Sequence, residues 1–168
     1  MRFKMLVAVA AVLAATQAFA ADLKSASRLA FGPDNILFVA DWKGAQVHAL
    51  TLPAPMPKRG EGTFNIVDLE VLLSKSLGAG KVTVEDMAAR PGSGEVYLAV
   101  SVGANKAPAI VAITSDQKVR KLNLASVKST AVTLKNPNNS NFEFWKETPE
   151  RSFTVTDMKA VTAAGAPS

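Results

Sequence analysis

The sequence predicts an all-β protein built from repeated antiparallel sheet units, with one helix inserted between them. The main observation is an internal repeat: residues 29–41 and 87–100 both read as an apolar strand, a proline turn and a second apolar strand. Pro33 of the first copy recurs as Pro91 at a shift of 58 residues. Repeats of this kind are typical of propellers and arrays, in which a unit needs neighbours to bury its core.

The first predicted unit spans residues 28–52 and is a three-stranded meander. Its strands are predicted at 28–31, 36–40 and 46–52. Pro33 and Asn35 define the first turn, because proline fixes φ and asparagine tolerates the left-handed region. The second turn is Asp41-Trp42-Lys43-Gly44.

A change to helical spacing predicts a helix over residues 66–77. The apolar positions of this segment are Ile66, Val67, Leu69, Val71, Leu72, Leu73 and Leu77. Gly78 and Gly80 follow as stop signals. Since the segment lies between two strand-rich units, we expect an inserted helix whose leucines pack against a sheet.

The second predicted unit spans residues 81–124 and contains four strands, which is the blade pattern of a propeller. The strands are predicted at 81–89, 95–102, 109–114 and 118–124. The strand at 95–102 is mostly apolar, and we expect it to be buried on both faces. Residues 155–158 then repeat 84–87 at a shift of 71, so a third unit is expected to start within 153–168.

The first 20 residues read as an export signal. Arg2 and Lys4 form a basic start, an apolar run follows, and Ala18-Phe19-Ala20 fits the small-x-small cleavage rule. We therefore expect cleavage after Ala20, a periplasmic or secreted location and a mature domain at 21–168. The apolar run is shorter than a typical membrane span, so no stable membrane insertion is expected after cleavage. The alternative is an uncleaved N-terminal anchor.

Charge and cysteine content exclude several classes of function. The formal charge is +5, and loss of Arg2 and Lys4 with the signal lowers it to +3. The basic residues are dispersed rather than grouped around aromatic platforms, so no nucleic-acid partner is expected. The chain contains no cysteine, which excludes disulfides, thiolate zinc sites and cysteine nucleophiles.

Two strings of the sequence resemble known propellers. Residues 29–41 resemble the blade signature of NHL-type and related six- or seven-bladed propellers, and 86–111 is similar to exported bacterial NHL/YncE-like propeller proteins of largely unassigned function. The resemblance covers residues 28–124 and 153–161. It implies a propeller fold, but its recurring residues are turn and strand residues and imply no particular activity.

The number of units is smaller than a closed propeller requires. A closed ring has about four to eight blades, and this chain encodes about two and a fraction. We therefore expect a fragment of a longer propeller. The alternative is that several copies self-assemble through their open blade edges, which would otherwise be exposed.

Two carboxylates are the candidate metal ligands. Asp34 and Asp41 lie near strand ends, and in hydrolase propellers carboxylates from several blades converge on a divalent metal. Hard oxygen ligands suit Ca²⁺ or Mg²⁺, and no other cofactor is expected. The alternative is that both residues cap turns through hydrogen bonds to the backbone.

Trp42 and Lys43 are the candidate ligand-facing residues, because tryptophan at a turn is common on binding surfaces. The alternative for Trp42 is core packing. His48 is the single histidine, and no nucleophile motif accompanies it. The sequence therefore favours an exported binding or scaffold protein with an unknown ligand or protein partner. The alternative is a fragment of a metal-dependent lactonase or esterase.

Overall fold

A computed structural model describes residues 21–55, 63–138, 142–144 and 148–161. The predicted signal peptide at 1–20 lies outside these residues. In chain order the strands and the helix are β1 (Arg28–Phe31), β2 (Ile36–Asp41), β3 (Gln46–Thr51), α1 (Leu69–Leu77), β4 (Val82–Ala89), β5 (Glu95–Val102), β6 (Ala107–Thr114), β7 (Val119–Lys121), β8 (Ser129–Thr133), β9 (Glu143–Phe144) and β10 (Thr148–Pro149). The described residues form two four-stranded antiparallel sheets, a two-stranded ribbon and a single α-helix. The predicted all-β fold of four-stranded, blade-like units with one helix is confirmed.

The first sheet, called blade 1 here, has the strand order β1-β2-β3-β8. Its first three strands match the predicted meander. The fourth strand, β8, follows blade 2 in the chain and pairs antiparallel with β3 from Gln46 opposite Thr133 to Leu50 opposite Ser129. Sequence reasoning missed β8 because it shows no buried face: Ser129 is buried, and the other four residues are exposed.

The second sheet, called blade 2 here, has the sequential order β4-β5-β6-β7. The predicted four strands are present, although β7 is shorter than expected. The prediction that β5 is buried on both faces is confirmed. Tyr97 and Ala99 belong to the core between the blades, and Leu98 and Val100 belong to the core beneath α1.

The two blades pack face to face through an apolar core. Leu37, Val39 and Leu50 of blade 1 share this core with Tyr97 of blade 2. The ring of Phe31 meets that of Tyr97 edge-on at 5.5 Å between centroids. Near one edge of this interface the carboxylate of Asp86 accepts a hydrogen bond from the Leu29 amide at 2.8 Å, so β4 and β1 are joined directly.

The helix α1 covers the outer face of blade 2, as expected for an inserted helix. It begins at Leu69 rather than at the predicted Ile66, because Asp68 is extended and its carboxylate accepts a hydrogen bond from the Val71 amide. The helix ends where Gly78 adopts φ 63°. Leu73 is fully buried in the core beneath the helix, which supports the interpretation of the leucines as packing residues.

Replacing Asp68 with alanine is expected to destabilise the protein by about 1 kcal/mol, because the Val71 amide loses its capping acceptor. Asp68→Asn, which keeps a side-chain oxygen at this position, is the matched control and is expected to stay within about 0.5 kcal/mol of the wild type. Urea unfolding of the three proteins measures the difference. Equal losses of unfolding free energy in Asp68→Ala and Asp68→Asn would show that the side-chain cap at residue 68 does not stabilise α1.

The expected start of a third unit at 153–168 shows no strand within its described residues, 153–161. Residues Glu150–Thr154 form a 3₁₀ turn, and the residues after it have no regular structure. The matching segment of the repeat, β4, is a strand because it pairs with β5, whereas no described strand pairs with 155–158. Thr156 instead accepts a hydrogen bond from Arg28 Nε at 2.7 Å, beside β1. Residues 162–168 lie outside the described range.

Across the described ranges, no helix is both long enough and apolar enough to cross a membrane.

Candidate ligand-binding cleft

A buried ionic network lies where the two blades meet. Glu95 accepts hydrogen bonds from Arg90 Nη1 and from Arg120 Nη2, each at 2.9 Å. The side chains of Glu95 and Arg90 are 0% and 1% exposed, and that of Arg120 is 29% exposed. The Tyr97 hydroxyl lies 3.4 Å from Arg90 Nη1 and 3.2 Å from Arg120 Nη2. Glu95 is thus held between two guanidinium groups.

The strand register of blade 2 explains why these side chains meet. Glu95 and Tyr97 are two residues apart on β5 and therefore point to the same face. Ala112 on β6 lies opposite both Tyr97 and Arg120, so the three form one row across the sheet. Because Ala112 is small, the Arg120 side chain reaches across it to the Tyr97 hydroxyl.

The network also joins blade 2 to blade 1. Arg90 Nη2 donates hydrogen bonds to Asn35 Oδ1 at 2.8 Å and to the Pro53 carbonyl at 3.0 Å. Asn35 is in the first turn of blade 1, and Pro53 follows β3. One guanidinium group therefore contacts the carboxylate of its own blade and two oxygens of the other.

The described members of the network carry net positive charge, since two guanidinium groups contact one carboxylate. Burial alone would lower the pKa of Arg120, but its hydrogen bonds to Glu95 and Tyr97 outweigh burial and raise that pKa above its ordinary value. Arg120 is therefore cationic throughout the physiological pH range. The excess charge lies on the partly exposed member of the network.

Arg120 opens into a cleft of about 450 Å³ between the outer parts of the two blades. The cleft is lined by Thr51, Leu52, Pro53, Arg120, Lys121, Leu122, Asn123, Ser126, Val127 and Lys128. Three of these residues are cationic, and none is acidic. Leu52, Leu122 and Val127 are buried and also belong to the core between the blades. The cleft thus combines cationic and polar residues with an apolar surface.

Asp41, a predicted metal-ligand candidate, is fully buried and joins the N-terminal segment to a turn. Its carboxylate accepts hydrogen bonds from the Lys24 amide at 2.9 Å, the Ser25 hydroxyl at 2.7 Å and the Gly44 amide at 2.9 Å. His48 Nε2 lies 3.8 Å from Asp41 Oδ2, which is longer than a hydrogen bond. Asp41 therefore caps a turn, which is the alternative role that the sequence analysis gave for it.

The environment of Asp41 favours its ionised form. Burial alone would raise the pKa of Asp41, but nearby His48 and the hydrogen bonds from Ser25, Lys24 and Gly44 hold it well below its usual range. The carboxylate is therefore charged under all ordinary conditions, and its bonds are fully formed.

Asp34, the second metal-ligand candidate, is at the other end of β2 from Asp41. It is exposed and adopts φ 55° in the first turn. Because a strand rises about 3.3 Å per residue, the two carboxylates are separated by roughly 20 Å and do not share a cation. Among the residues that the structure describes, no group of three or more histidine, aspartate or glutamate side chains is placed to hold a metal ion.

Trp42 and Lys43, the predicted ligand-facing residues, do not line the cleft. Lys43 Nζ lies 5.5 Å from the ring centroid of Trp42, so the two side chains contact each other. The Trp42 carbonyl accepts a hydrogen bond from Arg151 Nε at 3.1 Å, and the Lys43 amide donates one to Ser25 at 3.0 Å. This turn is tied to its neighbours and is separate from the cleft.

Sequence reasoning did not find Arg90, Glu95 or Arg120. One signal was present: Glu95 is a single acidic residue at the start of an otherwise apolar strand, and a charge there needs a partner. Arg90 is only five residues from Glu95, across the predicted turn at 91–94, and could have been found from that spacing, whereas Arg120 is 25 residues away along the chain.

No protein-family model matches this chain, and no match was found among curated proteins or among solved structures.

Proposed function

We propose that this protein is an exported, non-catalytic binding protein with propeller-like blades, and that its ligand occupies the cleft between them. The observation that carries the proposal is the cleft itself, in which Arg120 is held by Glu95 and Tyr97. Binding to a side chain that is already ordered costs less entropy than ordering a free surface arginine. Small-molecule sites are commonly clefts of about 300–1,000 Å³, a range that includes this one.

The proposed location is periplasmic or secreted, with cleavage after Ala20. Arg2 and Lys4, the apolar run and the Ala18-Phe19-Ala20 site support it. Kinship with exported NHL/YncE-like propellers is proposed on the repeated strand-turn-strand phrase at 29–41 and 87–100.

The geometry around the single histidine supports a non-catalytic role. His48 is buried, and the Ser25 hydroxyl donates its proton to Asp41 rather than to His48. In a serine–histidine catalytic pair the serine hydroxyl donates to the histidine, which takes its proton. The arrangement of these three residues instead serves to fix the N-terminal segment. The separation of Asp34 from Asp41 likewise gives no support to a metal-dependent hydrolase.

The absence of cysteine allows a direct binding test. Ser126→Cys places a single thiol in the cleft, and Ser76→Cys places one on the exposed side of α1 as the matched control. Each variant is labelled with an environment-sensitive dye and titrated with organic anions, sugars and amino acids. The proposal predicts a saturable fluorescence change at position 126 and none at position 76. No saturable change with any compound, or equal changes at both positions, would contradict it.

A further inference from the structure

We infer that the cleft binds a small organic anion, with a carboxylate or phosphate group attached to a short apolar body. This inference rests on the proposed function, because it names the ligand class of the same site. It is carried by three features of the described cleft: the excess of cationic over acidic residues, an arginine whose Nη1 has no described acceptor, and the buried apolar residues beside it.

The charge of the cleft favours an anion. Among the described residues that line the cleft, Arg120, Lys121 and Lys128 are cationic and none is acidic. Glu95, the carboxylate that contacts Arg120, is fully buried and is shared with Arg90. A ligand carrying negative charge would balance the cations, whereas a cationic ligand would be repelled.

Arg120 supplies the group that recognises the anion. Its Nη2 is bonded to Glu95 and Tyr97, which fixes the plane of the guanidinium group. Within the described part of the chain, no oxygen accepts a hydrogen bond from its Nη1, and the side chain is 29% exposed. Its Nε is buried without a hydrogen-bond partner among the described residues, so Nη1 is the nitrogen of this ordered guanidinium group that can donate a charge-assisted hydrogen bond to a carboxylate or phosphate oxygen.

The apolar residues and the small volume of the cleft indicate what the rest of the ligand is. Leu52, Leu122 and Val127 line it beside the cations and offer contact to a few methylene groups. Among the residues that the structure describes, no aromatic side chain lines the cleft, so these residues offer no stacking surface for the bases of a nucleic acid. A volume of about 450 Å³ suits a compound of small-molecule size.

The test compares ligands that share one apolar body and differ in the head group. Hexanoate, hexyl phosphate and the neutral isostere hexanamide are titrated into the mature protein by calorimetry at low salt. We expect at least one anion to bind about tenfold more tightly than hexanamide, because a charge-assisted hydrogen bond is roughly twice as strong as a neutral one. The two anions distinguish carboxylate from phosphate recognition. Inorganic phosphate alone is expected to bind more weakly than hexyl phosphate, since it lacks the apolar body.

Three variants test whether the anion binds in the cleft. Arg120→Gln is expected to weaken anion binding by about tenfold or more. Lys128→Gln, at an exposed cleft position, is expected to weaken it by about two- to fivefold and keeps the test valid if Arg120→Gln folds poorly. Lys118→Gln removes the same charge at an exposed position outside the cleft and is expected to leave binding unchanged.

The outcomes separate this inference from the proposed function. Equal affinity for hexanoate, hexyl phosphate and hexanamide, or saturable binding of neutral sugars alone at position 126, would overturn the anion inference and leave the binding protein standing. Equal losses of anion affinity in Lys128→Gln and Lys118→Gln would also overturn the anion inference. If no compound binds at position 126, both proposals are overturned.

Discussion

Replacing Glu95 with methionine is expected to lower the free energy of unfolding by about 3–5 kcal/mol. The substitution keeps the volume of the side chain and removes the carboxylate that contacts Arg90 and Arg120. The Arg90 side chain, 1% exposed, then remains as a buried cation without its counter-ion. Urea unfolding at neutral pH, followed by tryptophan fluorescence, measures the loss.

The matched control is Glu143→Met, which makes the same change at an exposed position on β9 and is expected to stay within about 0.5 kcal/mol of the wild type. The triple variant Arg90→Met, Glu95→Met, Arg120→Met is expected to recover most of the lost stability, because it removes both guanidinium groups together with the carboxylate that they contact. A loss below about 1 kcal/mol for Glu95→Met alone would show that the ionic network does not hold the blades together.

Replacing Asp41 with asparagine is expected to cost about 2–3 kcal/mol at neutral pH, since the Ser25 hydroxyl and the Lys24 and Gly44 amides lose a charged acceptor. Asp34→Asn is the control. Asp34 is exposed at a positive φ that asparagine tolerates, so this variant is expected to be as stable as the wild type.

The cost of Asp41→Asn should depend on pH. The pKa of Asp41 is lower in the folded protein than the usual value of about 3.9 in the unfolded chain. Its ionisation therefore stabilises the fold fully above about pH 4, and this contribution is lost as the pH falls towards the folded pKa. We expect the difference between wild type and Asp41→Asn to shrink below about pH 4. A difference that stays constant from pH 7 to pH 2 would contradict the assignment.

The sequence predicted the elements that have strong local signals. Pro33 and Pro91 mark turns of the two blades, and the apolar run at 95–102 is a strand buried on both faces. The strand β8 was missed because it is held by backbone pairing with β3, and four of its five side chains are exposed. An edge strand of this kind has no hydrophobic alternation to recognise.

The candidate site was less predictable, because its contacts join distant parts of the chain. For Asp41, the bond to Gly44 is a local turn contact that the spacing suggests, whereas the bonds to Lys24 and Ser25 cross 17 and 16 residues. Charged residues such as Arg90 and Arg120 resemble surface residues until the register of blade 2 brings them to Glu95. The predicted ligand-facing residues Trp42 and Lys43 contact each other in a turn outside the cleft, and their role in binding stays a prediction.

If a small organic anion occupies the cleft between the blades, an NMR titration will locate it there. Hexanoate or hexyl phosphate is added to the ¹⁵N-labelled mature protein, and amide shifts are followed. We expect saturable shifts concentrated at the amides of residues 51, 52 and 120–128, with the turn at Trp42 and Lys43 unaffected. Shifts centred on that turn, or no saturable shifts in the cleft, would contradict binding in the cleft.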